Sequence, residues 1–197
     1  MKGTLITLLF FVCGCLLSVY GFTPQILLEN DLSTYALYGL MALVGISLGM
    51  DESSINILKK ANVGLILVPI SIGAGSILGS GIAYLLIAES FVEGMAVGAG
   101  FGYYSLSSII ISSTYDSILG VIALLSNISR ELLSLLLAPL LVKAFGKMAP
   151  IASSGATSMD TTLPVITRFS GKEYALIALF SGIVLTILVP LIIPLIL

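Results

Sequence analysis

Residues 122–139 read IALLSNISRELLSLLLAP, an apolar run interrupted at its centre by Asn127, Ser129, Arg130 and Glu131. A helix that crosses a bilayer core takes about 20 apolar residues. Charge at the middle of such a helix is costly, and where it occurs it marks a substrate or ion path. Asn127 and Glu131 are four residues apart and share one helix face. Arg130 is turned by about 100° from Glu131. The face that carries Asn127 and Glu131 is therefore expected to line a cavity, with Glu131 toward the substrate. The competing reading is an Arg130–carboxylate pair that only ties helices together. It is the weaker one, because buried ion pairs stabilise little.

The rest of the composition fits that stretch. Of the 197 residues, 58% are hydrophobic and 9% charged, with a mean hydropathy of +1.17. Globular chains carry about 25% charged residues. The sequence therefore reads as an all-α integral membrane protein, one membrane transport domain over 1–197. The net charge of −2 is spread over short loops with no basic patch, which excludes nucleic acid as a partner. With no His, the commonest proton shuttle is missing. Cys13 and Cys15 lack the further ligands a metal site needs and read as packing residues. No cofactor is expected, and no nucleotide-binding motif points to ATP as the energy source. The first 21 residues have the outline of a signal peptide. Because membrane sequence follows throughout, they read instead as a first transmembrane helix.

Apolar stretches place membrane helices near 4–20, 33–50, 62–87, 117–145 and 174–197. Small residues at three- and four-residue spacing in the third, among them Gly73, Gly75, Gly79, Ser76 and Ser80, predict close helix packing and an interior position. Two further stretches are irregular. Gly94, Gly98, Gly100 and Gly102 fall within nine residues, too many for a lipid-exposed helix, since each Gly costs roughly 1 kcal/mol against Ala. Pro150, Gly155 and Pro164 interrupt 149–167 in the same way. Irregular backbone at membrane depth requires cover by protein or a water-filled cavity.

Lysine and arginine positions then select a topology, because cytoplasmic loops are enriched in them. With Lys2 inside, Lys59 and Lys60 are inside and Glu89 and Glu93 outside. Lys143 and Lys147 return inside only if 94–111 dips into the membrane and comes back. The same logic makes 149–167 re-entrant from the inside. The prediction is five full spans and two re-entrant or broken segments of opposite orientation, with a cytoplasmic N-terminus and an external C-terminus. Interrupted segments in opposed orientation point to a transporter's binding site.

The second irregular stretch holds the other intramembrane acid, Asp160, among Thr157, Ser158, Thr161 and Thr162. Free helix ends there would offer N–H groups to an anion and carbonyls to a cation. A plain capping role for Asp160 is the competing reading. Tyr103, Tyr104 and Ser105 are further candidates to hydrogen-bond a ligand, and Asp116 reads as a boundary residue. Exchange of a proton on Glu131 or Asp160 is the expected coupling, with sodium as the alternative ion.

Three segments, GFGYYSLSSI at 100–109, SRELLSLLLAPLL at 129–141 and GATSMDTTLPVI at 155–166, resemble the LysO lysine exporter family of prokaryotic inner membranes, in order and in spacing. YGLMALVGISLGMD at 38–51 is similar to a further family segment. The resemblance covers essentially the whole chain. It implies a secondary transporter that exports L-lysine and its analogue thialysine, and it places the family's two important acids on Glu131 and Asp160. Family members often carry additional N-terminal helices. That implies a separate small membrane subunit, or a homo-oligomer, completing this chain. Two other classes were weighed. A monovalent cation/proton exchanger would use the same carboxylates. An intramembrane aspartyl protease using Asp116 and Asp160 is disfavoured, because Thr157-Ser158-Met159 stands where a Gly-x-Gly would precede the acid.

Overall fold

The computed structural model describes residues 63–87 and 89–197, together with eleven scattered positions before residue 63. The expected spans at 4–20 and 33–50 lie largely outside the described residues. The described chain is helical: α1 (Val63–Leu86), α2 (Phe91–Gly98), α3 (Tyr104–Thr114), α4 (Ser117–Phe145), α5 (Ala149–Ser154), a 3-10 turn (Gly155–Met159), α6 (Leu163–Phe169) and α7 (Ala175–Ile196). Three helical stretches, 63–86, 117–145 and 172–196, are long and apolar enough to cross a membrane.

The central element is α4. Asp116 starts it, its carboxylate accepting from the Leu119 N–H at 2.8 Å, and Gly146 ends it at φ 85°. The Asp116 cap satisfies one of the orphan N–H groups of the first turn. At 1.5 Å per residue its 29 residues extend about 43 Å, enough to cross the roughly 30 Å hydrocarbon core. Arg130 and Glu131 stand at the middle of that length.

The two irregular stretches are hairpins that enter from opposite ends of α4. The first is α2, a break at 99–103, and α3. Its ends meet, since the Tyr115 hydroxyl donates to Glu93 Oε1 at 2.9 Å. This bond is the main reason the exposed Tyr115 phenol titrates above its ordinary value. Both ends of the segment therefore lie at one face, beside the start of α4. The second hairpin is α5, the 3-10 turn and α6. Lys147 before it and Glu173 after it form an ion pair at 3.4 Å, beside the end of α4. That is the re-entrant pattern expected from the lysine positions.

The hairpin tips touch. The Ala156 N–H donates to the Phe101 carbonyl at 2.8 Å, joining the two breaks directly. Glycine makes this approach possible. Gly155 has φ 64°, and a Cβ there would collide with the Phe101 carbonyl oxygen. Gly102 has φ 94°, and its Cβ would lie 2.8 Å from the Ser154 carbonyl oxygen. An L side chain is disfavoured at positive φ and here has no space either.

The outer helices clamp the hairpins. On α1, Ser76 Oγ donates to the Gly98 carbonyl at 2.8 Å and Ser80 Oγ to the Gly94 carbonyl at 2.6 Å. Small residues on α1 and α2 thus bring two backbones into contact, as in membrane helix pairs generally. On α7, the Ala178 carbonyl accepts from Ser158 Oγ at 2.8 Å, and Gly182 lies against Met159 and the Ala156 carbonyl. The close packing expected for α1 holds against the described residues: Gly73 and Gly81 are buried, while Gly75 and Gly79 meet no atom of the described residues within 4 Å.

Candidate functional site

The middle of α4 meets the junction of the two hairpins. A buried stripe runs along α4 through Leu119, Ala123, Asn127, Glu131, Ser134 and Ala138. Its spacing of three and four residues is that of one helical face.

Asn127 is 3% exposed and serves the first break. Its Oδ1 accepts from the Gly102 N–H at 2.7 Å, and its Nδ2 donates to the Val97 and Ala123 carbonyls at 3.3 and 2.9 Å. A hairpin tip inside a membrane leaves backbone groups without helical partners, and each costs several kcal/mol if left unpaired. Asn127 supplies the hairpin with one acceptor, for Gly102, and one donor, for Val97; its second donor goes to Ala123 in its own helix.

Arg130 serves the second break. Nε donates to the Ser153 carbonyl at 2.7 Å, Nη2 to the Ala152 carbonyl at 3.1 Å, and Nη1 to Ser76 Oγ at 2.6 Å. The carbonyls at the end of α5 carry partial negative charge, which suits a guanidinium. Through Ser76 the same side chain reaches the Gly98 carbonyl, so one residue ties α1, both hairpins and α4 together. Among the described residues the ion pair is Lys147–Glu173. Arg130 is directed at carbonyls rather than into the carboxylate pair that the sequence also allows.

Glu131 is fully buried, at 0% exposure, one residue beyond Arg130 and on the Asn127 face. Asp160 occupies a different position. It closes the 3-10 turn, is exposed at the protein surface, and its Oδ1 accepts from the Thr161 N–H and, at 3.1 Å, from the Thr161 hydroxyl. It borders a small cavity of about 60 Å³ lined by Tyr103, Ala156, Thr157, Met159, Asp160 and Thr186. Glu131 does not line this cavity, so the two acids serve separate places.

The remaining candidates divide. Thr157 lines the Asp160 cavity, and its hydroxyl donates to the Ser154 carbonyl at 3.0 Å. Ser158 is spent on α7. Thr161 holds the Asp160 carboxylate. Tyr104 and Ser105 begin α3, half-buried, and line none of the cavities described here; their neighbour Tyr103 lines the one beside Asp160. Two residues that sequence reasoning did not select matter more: Ser76, the relay between Arg130 and Gly98, and Thr186. Thr186 is a hydroxyl-bearing residue within the otherwise apolar run IVLTILVPLII, and that isolation was its signal.

Larger spaces flank Arg130. On one side a groove of about 500 Å³ is lined by Ser126, Ser129, Arg130, Leu133, Ser134 and Ser153, among others. On the other, about 410 Å³ lies between Arg130, Ala152 and the Ser71–Gly75–Gly79 face of α1. Both are of the size that takes a small organic molecule.

Comparison with known proteins identifies the family. The family model described as "Lysine exporter LysO" matches residues 8–197. A putative lysine exporter of Haemophilus influenzae is 35% identical over 162 residues, covering 82% of this chain and 82% of the relative. Lysine exporter LysO of Escherichia coli is 32% identical over 167 residues, covering 83% of this chain but 54% of the relative. This chain thus corresponds to about half the length of that second relative. No solved structure matches.

Proposed function

The chain belongs to the lysine exporter LysO family, and from that premise we propose that it exports L-lysine across the cytoplasmic membrane as a secondary transporter, not an enzyme. The observation that carries the reading is the meeting of two opposed hairpins at the charged centre of α4. Broken helices meeting at mid-membrane are where secondary transporters hold their substrates.

Lysine carries an ammonium and an α-carboxylate beside a second ammonium. Arg130 has five N–H donors, of which three are engaged. The other two are available to the α-carboxylate from the flanking groove. Glu131 lines neither groove in this conformation and meets the cationic side chain when the site opens. Thialysine, with a sulfur in that side chain, satisfies the same groups.

Exporting a cation against an inside-negative potential costs about 2.3 kcal/mol per charge per 100 mV. An inward-moving cation must offset this, so the cycle is an antiport. Either a proton or sodium would serve, on Glu131 or Asp160. The chain sits in the membrane with its N-terminus cytoplasmic and its C-terminus outside. The greater length of the Escherichia coli relative, 54% of which the match covers, supports completion by further membrane helices, from a small subunit or a second copy.

Reconstituted vesicles loaded with labelled lysine provide the test. Efflux should exceed that of protein-free vesicles and be competed by unlabelled lysine and thialysine but not by leucine. A preparation that exchanges sodium for protons without moving lysine would establish the cation/proton exchanger instead.

A further inference from the structure

We propose that the cavity beside Asp160 is a binding site for one sodium ion, separate from the lysine site. The role of that ion in coupling rests on the export reading above; its binding does not.

Size decides the first part. About 60 Å³ corresponds to roughly two water molecules at about 30 Å³ each. Pockets for small organic ligands begin at about 300 Å³. Lysine does not fit this cavity, whereas a sodium ion with a retained water does. The grooves beside Arg130 are of the larger class, as is a space of about 560 Å³ beside Glu93 and Asp116.

The lining decides the second part. Four of its six residues, Tyr103, Thr157, Asp160 and Thr186, bear side-chain oxygen. Nitrogen and thiolate ligands are absent from it, which selects a hard cation. Asp160 supplies the one formal negative charge, so a monovalent ion leaves the site neutral. Calcium sites gather several carboxylates, and the described residues contain no group of three acidic, His or Cys side chains that could hold such an ion.

Thr186 is the independent observation. It is 2% exposed, and its Oγ1 is buried without a hydrogen-bond partner among the described residues. An unsatisfied buried hydroxyl in an apolar helix is destabilising unless something fills its place. An ion in the cavity that Thr186 lines would do so. Thr157 is arranged to match: its hydroxyl proton goes to the Ser154 carbonyl, which leaves oxygen lone pairs for a cation. A proton carrier needs only the carboxyl group; neutral oxygens around it are what a metal ion that sheds part of its water requires. Sodium therefore takes precedence at this site over the proton expected from sequence.

The test uses purified full-length protein without lysine and measures equilibrium binding of radioactive sodium. Wild type should bind saturably. Thr186→Val, nearly the same shape without the oxygen, should bind about tenfold more weakly, the scale on which metal sites respond to loss of a supporting group. Asp160→Asn should not bind, and gradient-driven lysine export should be lost with it. Thr186→Val should retain lysine binding, which shows the variant folded. Absence of saturable sodium binding by folded wild type, or an unchanged affinity in Thr186→Val, overturns the site. Sodium binding by a protein that moves no lysine supports the site and refutes the export reading.

Discussion

Glu131→Gln should reduce lysine efflux to the level of protein-free vesicles while leaving the protein inserted and monodisperse. The change keeps the shape of the side chain and removes its charge, at a position with 0% exposure in the middle of a 29-residue membrane helix. Removing one partner of a buried charge pair costs about 3–5 kcal/mol. If Glu131 is the counter-charge of the lysine ammonium, that loss falls on substrate binding and amounts to at least about a hundredfold. Thermal stability of the detergent-solubilised variant, measured alongside efflux, separates this from a folding defect. Near-normal efflux by Glu131→Gln would reassign the residue to the packing of the bundle.

Gly155→Ala should be the most damaging small substitution in the described chain. One methyl group at φ 64° meets the Phe101 carbonyl oxygen and lies 3.1 Å from Arg130 Nη2. The left-handed backbone alone costs an L residue roughly 1–2 kcal/mol. The larger effect is displacement of the hairpin tip. The Ala156–Phe101 hydrogen bond and the Arg130 bonds to Ala152 and Ser153 share that tip, so they are lost together. A marked fall in melting temperature and loss of efflux are expected. Gly75→Ala is the control, since its Cβ meets nothing within 4 Å among the described residues; its melting temperature should not fall. Equal stability of the two variants would mean that the hairpins do not depend on their contact.

Much of this arrangement was legible before the structure. The Gly, Ser and Pro content of the two irregular stretches showed that neither is a plain membrane helix, and the positions of Lys143 and Lys147 required both to turn back. The polar residues at 127–131 located the centre. Sequence could not separate the side chains that hold the frame from those that face a cavity. Arg130 reads as a substrate ligand or a partner of Glu131, yet its bonds go to residues 22 to 54 positions away. Asn127 likewise caps a backbone break 25 residues upstream. Such pairings depend on how the hairpins fold across α4, and helical periodicity carries no record of that. Glu131 and Asp160 read as one constellation because both are acids in apolar sequence. Placement on α4 and on a 3-10 turn separates them. Thr186 lay in plain view in the last span, but a single hydroxyl in an apolar helix acquires meaning only when the cavity beside it is known.

The central claim is that lysine occupies the space around Arg130 where the two hairpins meet. Ser153 lines that space, and its carbonyl accepts from Arg130. The direct measurement is the alkylation rate of a Ser153→Cys variant, in a background with Cys13 and Cys15 replaced, by a small thiol reagent in reconstituted vesicles. Lysine should slow the reaction in a saturable manner, with half-protection at the concentration that half-saturates efflux, and leucine should leave it unchanged. A rate indifferent to saturating lysine, in protein that still exports it, would place the substrate elsewhere and contradict the account.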